Sequence, residues 1–163
     1  MLALFVLLGL AVRLQLLWLT KSVIDSDEAI VGLMAKHITE GRPWPIFYYG
    51  QNYMGSLEAI LAAASFGILG RSNFALKLVP LIFSLFHIVL VYLLAARLGG
   101  KTAARIAALL AALGPSALIL WSIMARGGFM EIVVIGSLSL LISVDLLSKR
   151  REANILNFSL LGL

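Results

Sequence analysis

The sequence contains no cysteine. Disulfides, thiolate-ligated zinc and thiol nucleophiles are excluded, and nothing follows about redox compartment. Charge is scarce as well. Only 13% of the 163 residues are Asp, Glu, Lys or Arg, and eight acids face thirteen basic residues. A soluble domain carries about 25% charged and about 45–50% apolar residues. Here 61% are hydrophobic and the mean hydropathy is +1.03. That balance excludes an ordinary soluble domain and predicts an integral membrane protein. The net charge of +5 then reflects basic residues in cytoplasmic loops. No RNA- or DNA-binding motif is present, so nucleic acid is not expected as a partner.

What the chain has instead is long apolar runs. Roughly 20 apolar residues cross a bilayer core. Spans are predicted at about 2–20, 76–97, 104–125 and 127–147. Arg13, the sole charge in the first run, is expected to snorkel or to pair internally. No basic n-region precedes this run and no small-x-small site follows it, so it reads as an uncleaved helix rather than a signal peptide. The second run carries His87, expected to be hydrogen-bonded inside the bundle. The third carries "LGPS", which predicts a kink at Pro115. The fourth lies between Glu131 and Asp145, and residues 154–163 read as the start of a further helix. The chain stops inside that run, so a fragment of a longer protein is expected.

The segment 56–69 is apolar, carries Glu58 and is short for a span, which suits an interfacial helix. Charge counting decides its place. If it does not cross, Arg97, Lys101 and Arg105 fall inside together with Lys149, Arg150 and Arg151, as the positive-inside rule expects. If it crosses, both basic loops move outside. Some positive charge (Lys21, Arg42, Arg71, Lys77, Arg126) stays outside in the better arrangement. The expected fold is an all-α polytopic membrane helix bundle with four spanning helices. Two short external interfacial helices, about 26–40 and 56–69, sit in an external loop over 21–75. The turn "ARGGFME", with Arg126 and Glu131, shares that outer face. An external loop of this length in a compact chain is usually functional.

Asp25, Asp27 and Glu28 form the densest acidic cluster. Asp25-x-x-Glu28 has capping-box spacing, and Ile30, Val31, Met34, Ala35 and Ile38 recur at helical intervals up to Gly41. A helix cap accounts for Asp25 and Glu28. It does not require Asp27. From the residues alone, cap and chemical role both stay open.

"DSDEAIVGLMAKHITEG" followed by "YYGQNYMGSLEA" resembles the first external loop of GT-C superfamily glycosyltransferases. The similar branch contains protein O-mannosyltransferases and the aminoarabinose and galacturonic acid transferases of lipopolysaccharide, a family 39-like group. "RSNFALKLVPLIFSL" is similar to the start of their second span and "WSIMARGGFMEI" to their second external loop. The resemblance covers residues 25–147 and implies a polyprenyl-phosphate sugar donor, used on the external, periplasmic face of the cell membrane for envelope glycosylation. The acceptor is a lipid, glycan or protein. The acid of the Asp27–Glu28 pair is implied as catalytic base, and two short helices along the outer membrane surface are implied for this loop. The chain departs from the pattern in the second external loop, where relatives often carry Asp and Glu131 is the available acid. Some relatives bind a divalent metal nearby. This chain offers only His37 and His87, so no metal ligand and no cofactor is assigned. Full-length relatives are several times longer.

Transfer from a lipid phosphate needs a base for the acceptor hydroxyl and positive charge at the departing phosphate. One carboxylate on the acceptor side suffices for inversion. Asp27 is the first candidate base and Glu28 the second, because neighbours on a helix point about 100° apart. Arg126 is a candidate for the lipid phosphate or an interface anchor. Glu131 could orient Arg126, bind a metal, contact the sugar or simply be an exposed interfacial acid. Glu58 suits either a sugar contact or a helix start. Tyr49, Gln51 and Tyr53, with Tyr48 and Asn52, are candidate pocket residues, and interfacial anchoring explains the tyrosines equally well. The competing class is a non-catalytic membrane protein: a lipid-linked-sugar flippase or transporter, or an assembly subunit. A third reading is that the fragment alone is inactive.

Overall fold

The computed structural model describes residues 1–147. The basic residues 149–151 and the expected further helix at 154–163 lie outside the described residues. Among the described residues the chain is all-helical, with one isolated bridge between Phe47 and Gly55. The helices are α1 (Leu2–Thr20), α2 (Ser26–Thr39), α3 (Leu57–Leu69), α4 (Asn73–Ala112), α5 (Ser116–Trp121) and α6 (Phe129–Leu147). Three of them, α1, α4 and α6, are long and apolar enough to cross a membrane. Their outer faces expose Leu7, Leu14, Phe86, Ile132 and Leu140 among others. A coat of this kind is costly in water and matches lipid.

Two spans, at 76–97 and 104–125, are predicted with a basic loop between them. Over this range α4 consists of two helices joined at Gly100, whose backbone is non-helical (φ 74°, ψ −168°), so the connection is tighter than the expected loop. Only glycine enters that conformation without steric cost. The predicted kink at Pro115 is a full interruption. Residues 113–115 leave the helix, and the chain resumes it only for α5. Proline has no N–H to donate and its ring obstructs the preceding turn. The 104–125 segment is therefore two helical pieces with a break between them rather than one bent helix.

Side-chain contacts give the directions of the passes. Phe5 shares a cluster with Ile88 and Ala108, whereas Leu17 shares one with Leu81 and Ile123. From Phe5 to Leu17 the partner in early α4 steps backward while the later partner steps forward. α1 is thus antiparallel to the first stretch of α4 and parallel to the stretch after Gly100. His87 meets Ser137 and Arg97 pairs with Asp145, so α6 runs with the first stretch of α4. Gly9 lets α1 approach closely: a Cβ there would sit 2.5 Å from Ile88 Cδ1. Small residues serve this purpose between membrane helices.

Arg13 resolves the break in the third pass. Its side chain is buried, and its guanidinium donates to the carbonyls of Gly9 (3.2 Å), Ala112 (3.0 Å) and Ala111 (3.2 Å). The last carbonyls of a helix lack partners within it. Arg13 supplies two of them, and so pairs internally rather than snorkelling.

The loop between α1 and α4 folds onto one end of the bundle. Val31, Met34 and Ala35 of α2 meet Ala59, Ala62, Ala63 and Phe66 of α3. Beneath them lie Ala75, Leu76 and Val79 of α4, together with Tyr48 and Ala125. The alanines bring α2 and α3 into close contact with each other and with the start of α4.

Candidate functional site

α2 begins as its spacing predicts. The Asp25 side chain accepts the Glu28 N–H at 2.9 Å, and the Glu28 carboxylate accepts the Asp25 N–H at 3.3 Å, completing a capping box. Both acids then do more than cap. Asp25 also accepts from Arg126 Nε at 2.7 Å, with a second guanidinium nitrogen on the same oxygen. Glu28 accepts the Ala125 N–H at 3.2 Å. From α3, Glu58 accepts the N–H groups of Gly127 (2.5 Å) and Gly128 (2.8 Å). Three carboxylates from two helices therefore hold each residue of the Ala125-Arg126-Gly127-Gly128 turn.

That turn needs its glycines. Both have positive φ, 84° at Gly127 and 107° at Gly128. A Cβ on Gly127 would also lie 2.3 Å from Met54 Cε and 3.3 Å from Tyr48 Cδ2. Tyr48 packs on this glycine and donates its hydroxyl to the Asp27 carbonyl at 3.1 Å. Burial, followed by the charges of Asp27, Asp25 and Glu58, pushes the Tyr48 phenol up to about 12. It therefore stays protonated and acts as a donor.

Glu28 is 1% exposed and forms an ion pair of 2.5 Å with Lys77, itself 2% exposed. A carboxylate so enclosed and so engaged has no approach for an acceptor hydroxyl. Glu28, expected as the second candidate base, is thus enclosed where Asp27 is exposed. Arg126 is likewise not a free cation; Asp25 holds it, although its side chain stays 29% exposed. Burial works to raise the Asp25 carboxyl, but the Glu28 N–H and the bonds and charge of Arg126 prevail and hold it below the usual carboxylate range.

Asp27 is different. It is exposed, and among the described residues its carboxylate has no hydrogen bond or ion pair, although its main-chain carbonyl is fixed by Tyr48. Two further acids sit behind the turn. Burial first, and then the charge of Glu131, push Glu58 up to about 8 against the pull of the two glycine N–H groups. Glu131, in the first turn of α6, is 2% exposed, and neither carboxylate oxygen has a partner among the described residues.

The aromatic candidates do not gather around Asp27. The Tyr49 hydroxyl lies 3.1 Å from His37 Nδ1, near the opposite end of α2. Tyr53 is 80% exposed. Gln51 is half-buried, with its carbonyl oxygen unpaired among the described residues. His87 meets Ser137 Oγ at 3.2 Å. No group of three or more His, Asp or Glu among the described residues is arranged to hold a metal ion.

Sequence reasoning named Tyr48 only as a candidate pocket residue and missed the roles of Lys77 and the glycine pair. Lys77 carried a signal: a cation near the N-terminal end of an apolar helix opposes the macrodipole and calls for a buried acid. Gly127 and Gly128 adjoin each other in a turn, which is a mark of positive φ. No known protein family, curated protein or solved structure matches the chain.

Proposed function

We propose that the protein is a multi-pass cell-membrane glycosyltransferase moving a sugar from a polyprenyl-phosphate donor to an acceptor hydroxyl on the external face. In this reading α1, the first stretch of α4, the broken stretch after Gly100 and α6 are four crossings. α2 and α3 lie along the outer surface, and the Lys101–Arg105 region lies inside. Asp27 takes the proton of the acceptor hydroxyl as its oxygen attacks the anomeric carbon. The bond from that carbon to the phosphate oxygen breaks, and the lipid phosphate leaves with the electron pair. Arg126, oriented by Asp25 and still partly exposed, supplies fixed positive charge for the leaving phosphate.

The observation that carries the proposal is the division of labour among the acids at one end of the bundle. Asp25, Glu28 and Glu58 are committed to the 125–128 turn. Asp27 keeps an exposed, unpaired carboxylate on a backbone fixed by the cap and by Tyr48. A general base has to be positioned and also free to accept a proton. The test is radiolabelled transfer from defined polyprenyl-phosphate sugars. Asp27→Asn should abolish transfer with folding intact, because the substituted side chain makes no contact in the fold. Wild-type turnover by a well-folded Asn variant removes Asp27 from the mechanism.

One observation favours the runner-up, a non-catalytic flippase or transporter. Buried charge beside a broken helix is a hallmark of transport sites, and Arg13 beside the 113–115 break has that form. Three carbonyls engage its guanidinium, however. Lipid-linked-sugar movement across vesicles without transfer would favour the runner-up.

A further inference from the structure

The C-terminal end of α2 has the opposite charge to the acid clamp. Lys36, Arg42 and Arg71 share one carboxylate, Glu40, at 3.9, 3.9 and 3.1 Å. Three cations against one anion leave an excess of positive charge. The three cationic side chains are 50%, 59% and 47% exposed, so they remain open to a further anion.

A cavity of about 330 Å³ opens beside this cluster, between α2, the end of α3 and the start of α4. Lys36 and Arg71 stand on its rim, Leu33, Phe66 and Leu76 form apolar walls, and Ser72 caps α4 at its edge. The first N–H groups of a helix lack partners within it, which adds to the positive character of this edge. Ile24, four residues beyond the end of α1, also lines the cavity. The cavity therefore lies at the level where α1 ends and α4 begins. An occupant must combine an anion with apolar substance and be present at a membrane surface. A free nucleotide or an acidic peptide leaves the apolar walls unmatched; a phospholipid matches both parts.

We propose that this cavity binds the headgroup of an anionic phospholipid, its phosphate on Lys36 and Arg71 and its first acyl carbons against Leu33, Phe66 and Leu76. The site rests on the reading that α2 and α3 lie on the outer membrane surface, and it is independent of glycosyl transfer. Glu40 competes with the lipid for the same cations, so it sets the affinity.

Native mass spectrometry of the detergent-solubilised chain tests this with three probes: phosphatidylglycerol, phosphatidylcholine of the same acyl chains, and inorganic phosphate. The wild type should retain phosphatidylglycerol in preference. Each cation near an anionic lipid contributes roughly a fivefold preference, so Lys36→Gln with Arg71→Gln should lower phosphatidylglycerol retention by about thirtyfold. Glu40→Gln should raise it by about fivefold, a gain that a merely structural role would not produce. All three positions are partly exposed, so circular dichroism should show native helicity in each variant. Equal retention of the two lipids overturns the proposal, as does a double variant that keeps the preference. Inorganic phosphate displacing the lipid at equal concentration would show a free-anion site and overturns it too. A nitroxide on Ile46→Cys, in a chain with no other cysteine, reports separately on the surface reading. Headgroup-depth immersion with no lipid preference sinks the site alone, and a probe far out in water sinks the surface reading on which it rests.

Discussion

The buried pair of Glu28 and Lys77 can be tested by breaking it from either side. Removing one partner of a buried pair costs about 3–5 kcal/mol, because the other charge is left uncompensated. The two sides are not equivalent here. With Lys77→Met, Glu28 still accepts the N–H groups of Ala125 at 3.2 Å and Asp25 at 3.3 Å, so the cost should fall near 3 kcal/mol, the low end. With Glu28→Gln, the Lys77 ammonium loses its counter-charge, and the cost should approach 5 kcal/mol, the high end. The double variant should recover most of either loss, since paired replacement of buried ions is often neutral. Its glutamine has one acceptor oxygen where Glu28 used two for the Ala125 and Asp25 N–H groups, so a residual cost of about 1–3 kcal/mol for one unsatisfied group should remain. Unfolding in mixed micelles, followed by circular dichroism, measures all four proteins. Additive costs in the double variant would refute the reasoning. The same double variant should keep any transfer activity, because Asp27 itself is unchanged; loss of transfer with stability restored would return Glu28 to the list of bases.

Three other outcomes follow from the geometry. Glu58 titrates near 8 in the folded chain against 4.5 when free. The folded state therefore holds a proton that the unfolded state has released. Its contribution to stability is full below the free value and is lost as pH rises through the folded one. Glu58→Gln keeps an acceptor for the Gly127 and Gly128 N–H groups, and it should flatten a fall in thermal stability between about pH 4.5 and about 8; an unchanged slope would place the titration elsewhere. Gly127→Ala meets both a positive φ and Met54, whereas Gly128→Ala meets a positive φ with open space around it. The first should cost clearly more than the roughly 1–2 kcal/mol that left-handed backbone costs a non-glycine residue, and equal unfolding energies for the two would contradict the packing. Arg13→Met strips donors from the Gly9, Ala111 and Ala112 carbonyls, and should destabilise by about 3 kcal/mol or more, at about 1–3 kcal/mol for each buried group left unsatisfied. A neutral result in the same micelle assay would mean that the break is satisfied some other way.

Local features of the fold were legible and distant pairings were not. α1 at Leu2–Thr20, α2 at Ser26–Thr39, α3 at Leu57–Leu69 and α6 at Phe129–Leu147 lie close to the ranges expected from apolar runs, capping spacing and terminating glycine. Those signals are short-range, and each is set within a few residues. The Asp25–Arg126 and Glu28–Lys77 pairs join positions 101 and 49 residues apart, and no periodicity in one segment announces a partner in another. The division within α4 was legible in "RLGGK", where two adjacent glycines and a basic cluster mark a break, but its tightness was not: only Gly100 departs from helical backbone. In the candidate site, the sequence ranked Asp27 ahead of Glu28 but could not show which partners hold the neighbouring acids. What separates the three acids is occupancy by residues from other passes, and that exists only once the chain is folded.

The link from Arg13 to the third pass also sets an order of assembly. A helix that enters a membrane alone carries its arginine into lipid, at a cost of about 2.5–3.5 kcal/mol near its centre. α1 is synthesised first, yet two of the three carbonyls that quench Arg13 belong to Ala111 and Ala112, almost a hundred residues later. Until that stretch arrives, α1 has only the Gly9 carbonyl in its own preceding turn. On the proposed reading that α1 crosses a membrane, its arginine is fully quenched only when the Ala111 and Ala112 carbonyls dock against it.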